Sequence, residues 1–143
     1  MPPSQPATTS TRPAASPTDC LASEIVNLKF HRPDPNNLPI DGIWVPFQVK
    51  VTNGCSKIVR AFEFSAEFRD AFADRILACG GKVSVMVPIG ASRNSPADTG
   101  CTVYSDDPSY QSWTTARRSD LTTSVEITRI AFTDGTVESS SGV

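Results

Sequence analysis

Apolar and polar residues alternate along much of this chain. Every second residue of segment 47–52, "FQVKVT", is apolar, which is the period of a strand with one buried face. The same period continues over residues 59–69, where Phe62, Phe64 and Phe68 share one face and charged residues the other. A helix is the alternative, because Ala and Glu favour helices, but Phe62 would lie off its apolar stripe. The pattern therefore predicts a strand.

Similar short segments follow one another, separated by residues typical of turns. Strands are predicted in 21–30, 75–80, 83–87 and 101–105, and again from 121 onwards. In the last one, Val125, Ile127 and Arg129 are expected on one face, with a change of phase before Ile130 and Phe132. Asn53-Gly54 and Asp134-Gly135 are turn signals, three prolines mark a loop at 31–39, and 106–120 is expected to be a long polar connection. About seven strands so arranged predict an all-β fold, a single antiparallel β-sandwich of immunoglobulin-like kind.

The length of 143 residues predicts one domain with unstructured ends. Residues 1–19 consist largely of Pro, Ser, Thr and Ala and are expected to form a disordered tether, since such a composition buries little apolar surface. The β-sandwich is expected over 20–138, with a frayed end at 139–143. The first residues lack the apolar core of a signal peptide. This leaves two interpretations, a protein without a leader or an exported protein whose signal or anchor has been removed.

Four cysteines support the exported interpretation. Cys20, Cys55, Cys79 and Cys101 form no C-x-x-C pair, and the single histidine, His31, is distant in sequence, so a zinc site is disfavoured. An even number without a redox motif predicts two disulfides and an oxidising compartment; buried thiols are the alternative. Antiparallel pairing of the first two strands would bring Cys20 close to Cys55. We therefore expect Cys20–Cys55 and Cys79–Cys101 among the three possible connectivities.

Segments 44–76 and 127–138 resemble small bacterial envelope domains of the FxLYD type and their immunoglobulin-like relatives. Those domains have an alternating strand that ends in an Asn-containing turn, then a strand and turn with aspartates. The residues that carry the resemblance are Val49, Val51, Asn53, Phe64, Phe68, Asp70 and Asp74. This chain departs from the pattern because Cys55 lies inside the turn and no aromatic residue directly precedes Asp70. The resemblance implies a secreted or tethered β-sandwich without catalytic residues.

Charge and hydropathy exclude several classes of partner. The formal net charge is −2, with acids and bases interspersed, so the sequence has no basic footprint for nucleic acid. Apolar runs are too short for a transmembrane helix, which needs about 18 residues or more. The Gly-Gly-Lys of "CGGKVS" lacks the spacing of a phosphate-binding loop, so no nucleotide cofactor is expected.

Candidate catalytic and metal-binding groups are weak. His31 has no G-x-S-x-G serine to activate. Glu63 and Glu67 share a strand face, but their Cα atoms would be about 13 Å apart, too far for a glycosidase pair unless the side chains converge. Asp98, Asp106 and Asp107 lack a calcium-loop pattern. We therefore predict no enzyme activity, no cofactor and no metal site.

The segment "YQSWTTARR" is the predicted binding site. Tyr110, Trp113, Arg117 and Arg118 are residue types enriched at interface hot spots, and the aromatic rings could also stack on a sugar. The alternative is that Trp113 belongs to the core while the arginines are solvated. The leading hypothesis is a non-enzymatic, secreted or envelope-anchored module that binds a protein or glycan partner, or acts as a spacer. The alternatives are a small-ligand carrier or enzyme with a pocket between loops, and a structural decoration domain of a phage or particle.

Overall fold

A computed structural model describes residues 16–29 and 42–140, and antiparallel strands make up most of this part of the chain. The strands are β1 (Leu21–Val26), β2 (Gly42–Pro46), β3 (Gln48–Asn53), β4 (Val59–Arg69), β5 (Arg75–Val83), β6 (Ser92–Asn94), β7 (Gly100–Tyr104), β8 (Thr122–Phe132) and β9 (Val137–Ser139). A seven-residue helix, α1 (Ser109–Thr115), and a short 3-10 turn (Arg118–Asp120) lie between β7 and β8. The predicted all-β antiparallel sandwich is confirmed. The described residues form nine strands rather than about seven, because β6 and β9 are three residues long and leave no periodic pattern.

One layer, called layer 1, contains β1, β3 and β6 in that order and the β2–β7 ladder. Only Phe47 separates β2 from β3, and its N–H donates to the carbonyl of Thr99 (3.1 Å), so the two strands follow one path. Along this path Val45, Phe47 and Val49 are all buried, as the period-two pattern predicts. Every second residue from Trp44 therefore lies on the outer face of layer 1.

The second layer, layer 2, has the strand order β5–β4–β8–β9. In β4, which has the predicted bounds, Phe62, Phe64 and Phe68 are buried. The two strands predicted at 75–80 and 83–87 are a single strand up to Val83, because the two glycines at 80 and 81 keep the pairing with β4. The phase change in β8 is confirmed as a bulge at Thr128.

The bulge corrects one detail of the predicted pattern. Glu63 pairs with Arg129, whereas the next β4 residue, Phe64, pairs with Ile127. Ile127 is buried and Arg129 is exposed, so these two residues do not share a face.

Aromatic rings link the two layers. Phe47 contacts Phe68 edge-on at 5.6 Å between ring centroids, and Phe68 contacts Trp113 at 5.8 Å. Trp113 comes from α1, which packs against β5 and β7. The helix thus covers one side of the sandwich, while β1 lies beside β8 on the other.

Both predicted disulfides are present. Cys20–Cys55 joins the adjacent ends of β1 and β3, with Cα atoms 4.8 Å apart. Cys79–Cys101 joins β5 of layer 2 to β7 of layer 1, with Cα atoms 6.3 Å apart. The Cys20–Cys55 bridge follows from the pairing of β1 with β3, whereas Cys79–Cys101 links strands of different layers that do not pair. Two disulfides indicate folding in an oxidising environment.

Structure extends beyond the predicted domain bounds of 20–138, to Ser16 at one end and Ser140 at the other. Ser16 and Asp19 form a turn in which the Ser16 N–H donates to the Asp19 carboxylate (2.9 Å), and Thr18 is buried. The Ser140 N–H donates to the carbonyl of Thr128 (2.9 Å), directly after β9. The tether and C-terminal predictions for 1–15 and 141–143, and the predicted loop around His31, lie outside the described residues.

Candidate ligand-binding face

Two large aromatic side chains are exposed on the outer face of layer 1. Trp44 in β2 is 49% exposed and Tyr104 in β7 is 57% exposed. Their sequence neighbours Ile43, Val45 and Val103 are buried. The alternation of each strand therefore directs the aromatic ring outward while its neighbours build the core.

Strand register makes the two residues diagonal neighbours on one face, while the indole extends over Gly100, on the other side of Thr102 from Tyr104. Trp44 pairs with Thr102, and Tyr104 lies two residues further along β7, opposite Gly42. Such diagonal neighbours on one face have Cα atoms about 7–8 Å apart, within reach of aromatic side chains. We call Trp44, Thr102 and Tyr104 the aromatic face.

One glycine leaves room for the Trp44 ring, and a second lies opposite Tyr104. A Cβ atom at Gly100 would be 2.7 Å from Cζ2 and 2.9 Å from Cη2 of Trp44, so the indole lies against the backbone there. Gly42, opposite Tyr104, has a φ of +141°, a conformation that favours glycine. The aromatic face is thus broad and low, with no side chain rising at these two positions.

A polar groove continues from the aromatic face. It has a volume of about 510 Å³ and is lined by Asn27, Leu28, Lys29, Pro46, Phe47, Gln48 and Ala97. Pro46 is the ladder partner of Gly100, against which the Trp44 indole lies, so ring and groove adjoin. Asn27 Nδ2 donates to Gln48 Oε1 (2.7 Å), and Gln48 Nε2 donates to the carbonyl of Ser95 (2.6 Å). These bonds hold the amides in place, and we call this feature the amide groove.

The four residues predicted to bind from "YQSWTTARR" do not form one surface, because two of them lie in α1 and two follow it. Trp113 is completely buried, so it belongs to the core and is not accessible to a partner. Tyr110 is half-buried and packs against the core, whereas Arg117 and Arg118 are exposed beyond the helix. The alternative interpretation, a core tryptophan beside solvated arginines, therefore describes this segment. The segment around Trp113 is mostly polar and has no helical apolar pattern, so the sequence did not predict the short helix that buries Trp113.

The β4 carboxylate of Glu63 is engaged in an ion pair on the outer face of layer 2. It accepts hydrogen bonds from Arg129 Nε (2.9 Å) and Nη2 (3.0 Å) and from Thr128 Oγ1 (2.9 Å). The hydrogen bonds from Arg129, followed by that from Thr128, lower the pKa of Glu63. A general acid would need a raised pKa instead.

Glu67 is engaged in the same way at the other end of the strand. Its carboxylate pairs with Arg69 (2.8 Å) and Arg75 (3.5 Å). The hydrogen bond from Arg69 is the main cause that lowers the pKa of Glu67. Both glutamates therefore form ion pairs with arginines on the solvent-facing side of layer 2.

The aspartates considered for calcium are solvent-exposed. Asp98, Asp106 and Asp107 lie in loops, and the described part of the chain contains no group of three side chains placed to hold a metal ion. His31 lies outside the described residues, so the structure adds nothing to its interpretation.

Sequence reasoning missed Trp44 and Tyr104, although a signal was present. Trp44 stands between Ile43 and Val45, which a period-two strand places on the opposite face. Tyr104 stands next to Val103 in the same way. The signal is a large aromatic residue at a strand position whose neighbours on both sides in sequence face the core. The aromatic and basic residues after Pro108 gave a stronger compositional signal, although they do not form the exposed aromatic surface.

Comparisons with known protein families, with curated proteins and with solved structures found no match. Among the described residues, no helix has the length and apolar character needed to cross a membrane.

Proposed function

We propose that this protein is a non-enzymatic glycan-binding module that works outside the cytoplasm and uses the aromatic face as its platform. The observation that carries the proposal is the exposure of Trp44 and Tyr104 on the same face of one strand pair. Exposed apolar surface of this kind often marks a binding site.

The shape and chemistry of the face favour a sugar chain over a deep-pocket ligand. The faces of aromatic rings carry partial negative charge, and the C–H groups of a pyranose ring carry partial positive charge, so the two stack. Because Gly100 leaves the Trp44 indole flat against the sheet, a sugar ring can approach it without obstruction. Two rings on a diagonal would contact successive parts of one chain.

The amide groove supports the same proposal. Asn27 and Gln48 present amide groups, and Lys29 adds an ammonium group beside them. Amides both donate and accept hydrogen bonds, which suits hydroxyl-rich ligands. Stacking on the aromatic face would supply affinity, and the groove would orient the sugar.

The size and openness of the clefts among the described residues favour a small-ligand carrier less than a glycan-binding module. The cleft over Ala61, Ala131 and Val137 on layer 2 has a volume of about 180 Å³, whereas sites for drug-sized ligands span about 300–1,000 Å³. The more voluminous amide groove is open, and its lining mixes polar and apolar residues. Its position beside Trp44 fits an extended ligand better than an enclosed one.

The proposed location is secreted or anchored to the cell envelope. The two disulfides support an oxidising compartment, and the Pro/Ser/Thr/Ala-rich composition of residues 1–19 fits a spacer between an anchor and the domain. The resemblance to FxLYD-type envelope domains agrees with this location. We propose no binding to nucleic acid, because the net charge is −2.

The test is a binding survey by affinity electrophoresis and pull-down with peptidoglycan, chitin, cellulose, xylan, mannan and arabinogalactan. We expect the wild type to bind at least one of them, and Trp44→Ala or Tyr104→Ala to weaken that binding by about tenfold or more, as for loss of 1–3 kcal/mol of stacking. Phe72→Ala, which removes an exposed aromatic ring elsewhere, is the matched control and should bind as the wild type does. Equal binding by wild type and Trp44→Ala would contradict the proposal.

A further inference from the structure

The amide groove carries a positive charge. Among its described lining residues only Lys29 is charged, and no acidic side chain belongs to the lining. Asp98, which follows the lining residue Ala97 in sequence, lies in an exposed turn and does not line the groove. The groove is therefore locally cationic, although the whole chain has a formal net charge of −2.

The backbone at Asn27 places Lys29 on the outer face of layer 1. Ile25 packs against the core, so regular alternation along the strand would direct position 29 inward. Asn27 has a φ of 56°, in the left-handed region that asparagine adopts more readily than most residues. Beyond it the phase is reversed, because Leu28 packs against the core and Lys29 is exposed. The lysine thus stands at the surface of the groove.

Lys29 has no acidic partner in the part of the chain that the structure describes. The ion pairs found there involve Lys57, Arg69, Arg75 and Arg129. Lys50, on the same outer face, lies opposite Glu24 in the β1–β3 ladder. The N–H of Lys29 instead donates to the carbonyl of Pro46 (3.0 Å), so its cross-strand neighbour is uncharged.

The Trp44 indole extends towards this lysine. The indole lies over Gly100, and Pro46 stands between Gly100 on one side and Lys29 on the other. Two spacings between neighbouring strands put the backbones of Gly100 and Lys29 about 10 Å apart. The flexible four-carbon stem of lysine shortens this gap. A substituent on a sugar that stacks on the indole can therefore meet the ammonium group.

We propose that the glycan bound by this protein carries carboxylates, as a chain of uronic acids does, and that Lys29 pairs with one of them. The proposed glycan-binding function is the basis of this assignment, which adds the class of sugar. The Trp44 ring would supply stacking, and Lys29 would select for charge.

A neutral sugar fits the groove less well for an electrostatic reason. A ligand that fills the groove removes water from the Lys29 ammonium group, and this desolvation is costly unless an opposite charge compensates it. A carboxylate does so through a charge-assisted hydrogen bond. Asn27 Nδ2 donates to Gln48 Oε1 (2.7 Å), which leaves Asn27 Oδ1 to accept from a sugar hydroxyl. Ammonium and amide thus match a sugar that bears both groups.

The experiment measures the Kd of the full chain by calorimetry for two pairs of hexasaccharides. Each pair contains a neutral chain, β-1,4-linked glucose or mannose, and the corresponding uronate. We expect the uronate of at least one pair to bind about tenfold more tightly than its neutral counterpart, as for one hydrogen bond to a charged group. This preference should shrink between about 0.01 M and about 1 M salt, where the screening length falls from about 30 Å to about 3 Å.

Three variants assign the preference to its residue. Lys29→Gln should abolish the preference and leave the affinity for the neutral hexamer unchanged, whereas Lys29→Arg should retain it. Lys50→Gln is the matched control and should behave as the wild type does, because Lys50 lies opposite Glu24. Since Lys29 and Lys50 are on the surface, all three variants should keep the denaturation midpoint of the wild type.

The outcomes separate the class of sugar from glycan binding itself. Equal affinity for uronate and neutral hexamers, or a preference that persists in Lys29→Gln, would overturn the role of Lys29. So would binding of a neutral polysaccharide of the survey without binding of either uronate. In these cases glycan binding stands if Trp44→Ala weakens it. Failure of every hexamer and every polysaccharide to bind would overturn both proposals.

Discussion

The indole of Trp44 lies against Gly100, its diagonal neighbour across the β2–β7 ladder. A Cβ atom on Gly100 would approach Cζ2 of the indole to 2.7 Å, closer than real side chains come. The glycine therefore sets how flat the exposed ring lies on layer 1. This relationship joins the fold to the proposed function, because a flat ring is a platform for a sugar.

Gly100→Ala should both destabilise the domain and move the indole. The new methyl group would press on Trp44 and on the carbonyl of Val45, and overpacking of this kind costs about 1–3 kcal/mol. Gly81→Ala is the matched control, since a Cβ there meets Phe64 at an ordinary 3.5 Å. Urea denaturation gives both free energies of unfolding, and equal values for the two variants would show that Gly100 is not constrained.

Asn53 should be among the polar residues most sensitive to substitution. It is completely buried; Nδ2 donates to the carbonyls of Lys57 and Val87 (both 2.9 Å), and Oδ1 accepts from the Cys55 N–H (2.8 Å). Asn53→Ala would remove all three bonds and leave the buried Cys55 N–H without this partner, at about 1–3 kcal/mol for that group and about 1 kcal/mol for each of the other two bonds. We expect a loss of about 3 kcal/mol or more by urea denaturation, against little change for the exposed Asn94→Ala. A loss no greater than that of Asn94→Ala would contradict this account of the turn.

Acid should weaken the β8–β9 hairpin through Asp134. Hydrogen bonds from the Thr136 side chain and backbone, and then from Lys57, lower the pKa of Asp134 from 3.8 to about 2. Because the folded pKa is depressed, the stabilisation is complete above the ordinary pKa and is lost as the pH falls through the folded pKa. The free energy of unfolding should decrease between about pH 4 and pH 2, less steeply in Asp134→Asn than in the wild type or in Asp98→Asn. Identical slopes in all three proteins would refute the assignment.

Each disulfide should contribute measurable stability. The two bridges close loops of 35 and 22 residues, which correspond to about 4 and 3 kcal/mol in the chain-entropy estimate. The denatured, unreduced protein should show no free thiol. The double variants Cys20→Ala/Cys55→Ala and Cys79→Ala/Cys101→Ala should each lower the free energy of unfolding by those amounts. Free thiols before reduction, or no effect of either double variant, would contradict the pairing.

Local periodicity predicted most of the layers because it depends on neighbouring residues alone. Residues 61–69 of β4 alternate without interruption, so their buried face followed directly. Val59 is buried out of this phase, where the register with β8 shifts between Val59 and Ala61. The slip in β8 was visible as a change of phase, but its position at Thr128 required the pairing partner Glu63. α1 was missed since its seven residues bury one large side chain, Trp113, and present no apolar stripe.

The aromatic face depends on pairing between distant segments. Trp44 and Tyr104 are 60 positions apart in the chain, and only the β2–β7 register brings them to one face. The sequence shows that each lies in the outward phase of its own strand, not that the strands are neighbours. Phe72, by contrast, lies within a single turn, whose formation the sequence predicts although its exposure follows from the structure.

The most direct test of the glycan proposal compares the two tryptophans in solution. Trp44 is half exposed and Trp113 is buried, so acrylamide should quench Trp44 selectively, and Trp44→Phe should remove the quenchable part. With a polysaccharide from the binding survey at saturation, we predict that quenching of the wild type falls to the level of Trp44→Phe. Unchanged quenching in the presence of bound polysaccharide, or no binding to any polysaccharide of the survey, would contradict the account.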